Sequence, residues 1–177
     1  MRRWVPVLVL AFVVGALFRL GNELGVAVLR MFGTQGIVII GILVAVNLKR
    51  LQAEDGLRRL EEQLQALPDR VRVQAVRGPG RPPLWLVEAD GRRVLVGTSD
   101  LANSVGAGRA WRLLCRRAEE LAQAARAHGL APGEATLALV LLRRRAAEGQ
   151  TVEIAGWERP VVVVNPENVG RLLASGE

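Results

Sequence analysis

The chain has 177 residues, half of them hydrophobic, and a formal net charge of +7. It contains one cysteine, which excludes an intramolecular disulfide and a zinc site built from several thiolates. The charge is a weak sign of nucleic-acid binding, because residues 1–51 hold six basic residues against one acid, whereas residues 52–177 hold 18 arginines against 16 acids.

Two nearly continuous apolar runs lie in the N-terminal third. The first extends from Val5 to Leu20 and the second from Met31 to Asn47. Both are near the lower length limit for a helix that crosses a bilayer, about 17 residues, and neither has a polar face. Buried core helices or a cleaved signal peptide are the alternatives, but a signal peptide leaves the second run unexplained. We expect residues 1–50 to form a membrane anchor with two transmembrane helices.

Basic residues lie before the first run and after the second. Arg2 and Arg3 precede the first run, and Lys49 and Arg50 follow the second. Basic residues concentrate on the cytoplasmic side of membrane proteins. We therefore expect a multi-pass cell-membrane protein in contact with the lipid bilayer, with its N-terminus and its C-terminal domain in the cytoplasm.

Residues 51–68 are predicted to form a linker helix that Pro68 ends. Its leucines recur at steps of three and four, giving one apolar stripe. The stripe consists of Leu57, Leu60, Leu64 and Leu67. It covers only about two heptads of a coiled coil. Two interpretations stay open: the stripe packs on the chain's own domain, or it pairs two chains as a homodimer.

Residues 69–177 are predicted to be a cytoplasmic α/β domain that begins with strands. The hydrophobic pattern changes there from helical to alternating. Asp90 and Gly91 lie between two of the apolar runs and are a strong β-hairpin signal. The predicted strands are residues 71–75, 84–88 and 94–97.

A helix and further strands follow. The helix is predicted over residues 109–128, and its expected apolar face consists of Trp111, Leu114, Ala118, Leu121 and Ala125. Short apolar runs at 137–142 and 161–164 are typical of buried strands, with a short edge strand between them at 151–155. Asn165 and Pro166 begin a last helix. This order predicts an α/β domain with a central mixed sheet flanked by helices.

From about Pro83 onward, the order resembles the nuclease-related domain (NERD) family, whose fold is that of restriction-endonuclease-like PD-(D/E)XK enzymes. The shared elements are a hairpin, a long helix, a central apolar strand, a variable segment, and an apolar strand leading into a short helix with Asn168, Val169 and Leu172. The resemblance implies a nuclease-like fold. It also implies a metal site with an Asp on the first hairpin strand and Glu-x-Lys at the end of the second.

The chain departs from the family at the residues that do the chemistry. Gly97 and Ser99 stand at the Glu and Lys positions, and Leu84 or Trp85 stands near the Asp position. Phosphodiester cleavage needs carboxylates that hold a divalent metal, and the one lysine of the chain, Lys49, lies at the membrane edge. We therefore expect a non-catalytic binding or scaffolding module with a degenerate nuclease-like fold and no cofactor.

Three acids near the hairpin keep an alternative open. Glu88, Asp90 and Asp100 are candidate catalytic residues of a metal-dependent nuclease of the NERD type with relocated acids, which would use Mg²⁺. Asp90 is better explained by the turn, and Glu88 by the solvent face of an edge strand.

A basic patch is the remaining candidate site. Arginines 143–145, together with Arg116 and Arg117, are candidates to bind phosphates of lipid headgroups or of nucleic acid. The membrane anchor favours headgroups, and the small net charge of residues 52–177 disfavours nucleic acid.

Overall fold

The computed structural model describes residues 5–76, 83–89, 91–101, 107–143, 145–147 and 149–175. The chain divides into two compact units, Met1–Leu51 and Gln52–Glu177. The first contains helix α1 (Val5–Glu23) and the beginning of helix α2 (Ala27–Gln65). Most of the predicted linker helix therefore belongs to the second unit.

One helix in the described part of the chain, Met31–Gln65, is long and apolar enough to cross a membrane. Its most apolar stretch is 11% buried, unlike the core helix of a soluble protein. The prediction of a membrane-crossing helix is met by length and composition for this second run alone. The second crossing that we expected, in α1, stays a proposal.

Within the first unit, α1 and α2 pack closely through glycines. A Cβ at Gly33 would lie 2.9 Å from the Cβ of Phe18, and a Cβ at Gly36 would meet the side chain of Val14. Small residues at such contacts let two apolar helices approach without a polar interface. The large side chains on the other faces, such as Phe12 and Ile39, are exposed within the chain.

The second unit is an α/β domain built on a mixed sheet of six strands, in the order β1-β2-β3-β4-β6-β5. The strands are β1 (Arg72–Val76), β2 (Leu84–Ala89), β3 (Arg92–Ser99), β4 (Ala135–Leu141), β5 (Thr151–Val152) and β6 (Val161–Val164). The first three form an antiparallel meander, β4 is parallel to both β3 and β6, and β5 is antiparallel to β6. The predicted central mixed sheet is thus confirmed.

Helices cover both faces of this sheet. Neighbouring residues of a strand point to opposite faces, so each strand contributes side chains to both helix-covered layers. Helix α3 (Ala107–Ala127) covers one face, where Leu114 and Leu121 pack with Leu95 of β3. The C-terminal part of α2 and helix α4 (Val169–Ser175) cover the other, where Leu60 packs with Val96. The alternation of Leu95 and Val96 along β3 thus joins two separate apolar layers.

The leucine stripe of the linker helix lies in the second layer. Leu60 is fully buried and Leu64 is buried, while Leu57 and Leu67 pack partly buried against the same cluster. Their neighbours are Trp85, Val87 and Val140 from the sheet and Val169 from α4. This placement favours the interpretation that the helix packs on its own domain.

Two local expectations differ from the structure. Trp111 was expected on the apolar face of α3 but is 48% exposed, and Ala110 is buried instead. The buried face runs through Ala110, Leu114 and Ala118 at steps of four, which turns Trp111 outward. The expected edge strand at residues 151–155 is limited to Thr151–Val152.

Candidate functional site

The place where the family resemblance puts a metal site is filled mainly with apolar side chains. A Cβ at Gly97 would lie 2.8 Å from Leu121 Cδ1 and 3.3 Å from Leu84 Cδ2. The cavity that remains there measures about 30 Å³, and its lining also includes Leu139 and the paired Arg117 and Glu120 of α3. It has room for only about two water molecules. A carboxylate at position 97 would require the side chain of Leu121 to shift.

The other positions of the family motif are also buried in the core. Leu84 faces α3, whereas Trp85 points to the opposite face and packs with the α2 leucines. Thr98 and Ser99 are the buried polar residues of β3, and within the described part of the chain the hydroxyl of Thr98 has no hydrogen-bond partner. Neither hydroxyl supplies the charge of a carboxylate or of a lysine.

The sheet register separates two of the candidate acids. Glu88 lies opposite Arg93 and accepts a 3.0 Å hydrogen bond from its Nε. Asp100 follows the other end of β3, seven residues from Arg93, which corresponds to about 23 Å along a strand. Glu88 and Asp100 therefore cannot bind one metal ion. The third candidate, Asp90, lies outside the described residues, among which no group of three or more His, Cys, Asp or Glu is placed to hold a metal.

A larger cleft of about 530 Å³ lies where β4 and β6 end. Its lining residues are Gln52, Asp55, Gly56 and Arg59 of α2; Leu141, Leu142, Arg143 and Arg145 at the end of β4 and after it; and Asn165, Pro166, Glu167 and Asn168 after β6. In α/β sheets, ligands bind outside the carboxyl ends of parallel strands. This cleft is therefore the candidate binding site.

Gly56 sets the close approach of α2 to the sheet at this cleft. A Cβ on Gly56 would lie 2.9 Å from Leu142 Cα and still nearer to the carbonyl oxygen of the same residue. Those are backbone atoms, which cannot rotate away as a side chain does. A glycine at this position lets α2 form one wall of the cleft.

One arginine of the cleft is neutralised by two acids. Arg59 donates a 2.6 Å hydrogen bond to Asp55 of the same helix and a 3.1 Å hydrogen bond to Glu167. The hydrogen bond with Glu167, followed by the charge of Asp55, raises the pKa of Arg59. All three side chains are well exposed, so these pairs contribute little to stability. They leave Arg59 with no unbalanced charge to offer a ligand.

The other two arginines have no such balance. Arg143 donates through Nη1 to the carbonyl oxygen of Asp100 at 3.3 Å, and its buried Nε has no hydrogen-bond partner among the described residues. An unsatisfied buried donor costs about 1–3 kcal/mol. In the described part of the chain, neither Arg143 nor Arg145 contacts a carboxylate. Asn165 accepts a 2.8 Å hydrogen bond from the backbone N–H of Ala146, which ties the loop that carries Arg145 to the end of β6.

The arginines of the predicted basic patch are divided between two places in the structure. Arg143 and Arg145 line the cleft, whereas Arg116 and Arg117 lie on α3 and pair with Glu120 at 3.3 and 2.6 Å. Arg144 lies outside the described residues. The roles of Arg59 and Glu167 were not predicted. Glu167 follows the buried strand β6, and the carboxyl ends of parallel strands are where ligand sites occur in α/β sheets. Arg59 lies on α2, which lines the same cleft.

No family model, curated protein or solved structure matches the chain.

Proposed function

We propose that this chain is a membrane-anchored binding module whose α/β domain holds a ligand in the cleft at the carboxyl ends of β4 and β6 and performs no nuclease chemistry. The observation that carries the proposal is the apolar filling around Gly97. Leu84, Leu121 and Leu139 occupy the space that a family-type metal site would need. The polar cleft is lined by α2, which covers the face of the sheet opposite to α3.

The anchor in this proposal consists of α1 and the apolar part of α2, with both ends of the chain in the cytoplasm. The 19 residues of α1 hold a continuous apolar run, and its side chains are largely exposed within the chain. The basic residues outside the two runs support the orientation.

The fold in this proposal is a degenerate version of the NERD fold. The order β2, β3, α3, β4, β5, β6 and α4 is the order on which the resemblance rests. The linker helix packs on the sheet in this arrangement, and pairing of chains through Leu60 and Leu64 would require that helix to leave the core.

The experiment is a nuclease assay of the full chain, purified in a neutral detergent, on single- and double-stranded DNA and on RNA with Mg²⁺ or Mn²⁺. We expect all substrates to stay intact. Cleavage that is lost in Glu88→Gln and kept in Glu153→Gln, a matched change at an exposed acid away from the hairpin, would establish a relocated active site and refute the proposal.

A further inference from the structure

The charge of the cleft is carried by a pair of neighbouring arginines. Arg59 is occupied by Asp55 and Glu167, whereas Arg143 and Arg145 have no carboxylate partner in the described segments. A guanidinium group presents its N–H donors in a planar fork that suits the oxygens of a phosphate. The cleft therefore has the chemistry of a phosphate site.

One residue that lines this cleft, Gln52, stands two residues after Arg50 in the sequence, just beyond the proposed membrane anchor. Under the proposed anchor, Lys49 and Arg50 mark the cytoplasmic surface of the bilayer, where anionic lipids gather. Phosphate groups are concentrated at that depth.

An exposed tryptophan lies at the same edge of the sheet. Helix α3 connects the parallel strands β3 and β4, so its N-terminal turns lie at their carboxyl ends. Trp111 is in the second turn and is 48% exposed. Tryptophan is enriched at the headgroup level of membranes, so an exposed one at this edge fits contact with lipid.

We propose that the cleft binds the phosphate of an anionic lipid headgroup through Arg143 and Arg145. The inference rests on the proposed function, because it assigns a ligand class to the same cleft. A soluble phosphate compound has the same binding chemistry, and the experiment separates the two sources.

A second cleft provides a matched control. It measures about 600 Å³ and lies at the opposite ends of β3 and β4, where these strands begin. The exposed residues Arg70 and Arg72 line this second cleft. Replacing these two arginines removes the same charge as replacing Arg143 and Arg145. The control thus distinguishes a loss of lipid affinity caused by removing Arg143 and Arg145 from one caused by the lower net charge alone.

The test is native mass spectrometry of the full chain in neutral detergent, titrated with phosphatidic acid or with phosphatidylcholine. We expect preference for phosphatidic acid, and an affinity about 30-fold lower in the Arg143→Gln/Arg145→Gln variant, from about fivefold per basic residue. The Arg70→Gln/Arg72→Gln variant should keep the wild-type affinity. Since Arg145 is exposed, Arg145→Gln alone tests the site if the double variant does not fold.

Equal losses in the two double variants, or no loss in either, would overturn the inference. Inorganic phosphate is the soluble arm, added as a competitor. Competition at low concentration together with no preference for phosphatidic acid would assign the site to a soluble phosphate and refute the lipid as its source. Failure of the membrane anchor would instead appear as protein that stays soluble without detergent, and DNA cleavage would refute only the absence of chemistry.

Discussion

Gly56→Ala tests the close packing of α2 on the sheet, which forms one wall of the cleft. In most helices this change is stabilising, because alanine is favoured over glycine by about 1 kcal/mol in a helix interior. Here the added Cβ would lie 2.9 Å from Leu142 Cα and nearer still to its carbonyl oxygen. The helix or the end of β4 must move to relieve that contact.

The expected magnitude follows from two opposing terms. Overpacking of a close contact costs about 1–3 kcal/mol, and backbone partners place this site at the upper end. After subtraction of the helix preference, we expect the variant to be about 1–2 kcal/mol less stable. For a domain of this size, that lowers the melting temperature by roughly 3–6 °C.

The assay is urea denaturation of the full chain in neutral detergent, followed by tryptophan fluorescence. Trp85 and Trp157 are both buried in the second unit, so the signal reports on its unfolding. Gly108→Ala is the matched control on α3, because a Cβ there meets no atom of the described residues within 4 Å, and we expect no loss of stability. If Gly56→Ala is as stable as Gly108→Ala, α2 does not approach the end of β4 as described.

Three further outcomes are expected. Leu60→Ala should cost about 2–5 kcal/mol in the same denaturation assay, because Leu60 is fully buried, and Leu113→Ala, at an exposed leucine, should cost much less; equal costs would contradict packing of the linker helix on its domain. Leu60→Glu with Leu64→Glu should lose cooperative unfolding, whereas a dimer that becomes a cooperative monomer in sedimentation would favour pairing through the leucine stripe. In a Cys115→Ser background, cysteine placed at Gly21 should react with an impermeant reagent in intact cells and cysteine at Ser175 should not; labelling at Ser175 would reverse the proposed topology.

The sheet and its helices follow from local patterns in the sequence. The hairpin was predicted from Asp90-Gly91 between apolar runs, and β2 and β3 do pair antiparallel across it. The apolar runs predicted as buried strands became β4 and β6. Trp111 was misplaced because residues 110 and 111 both fit the helical spacing toward Leu114, and only packing selects Ala110.

The cleft could not be predicted from such patterns, because its walls come from three segments that are distant in the chain. Arg59, Arg143 and Glu167 line one cleft only because β4 and β6 are parallel neighbours and α2 passes their ends. The same holds for Gly97: its sequence position shows that a carboxylate is missing, but only the contact with Leu121 shows that the space is filled.

The most direct measurement of whether this domain binds a catalytic metal ion is a titration of the full chain with Mn²⁺, followed by electron paramagnetic resonance of the free ion. Metal-dependent cleavage requires at least two well-placed protein oxygens around the ion, and the hairpin offers apolar side chains where the family would have them. We expect the free-ion signal to rise in proportion to added Mn²⁺, with no difference between the wild-type chain and Glu88→Gln. A saturable site that disappears in Glu88→Gln and persists in Glu153→Gln would contradict the proposal that the domain performs no metal-dependent chemistry.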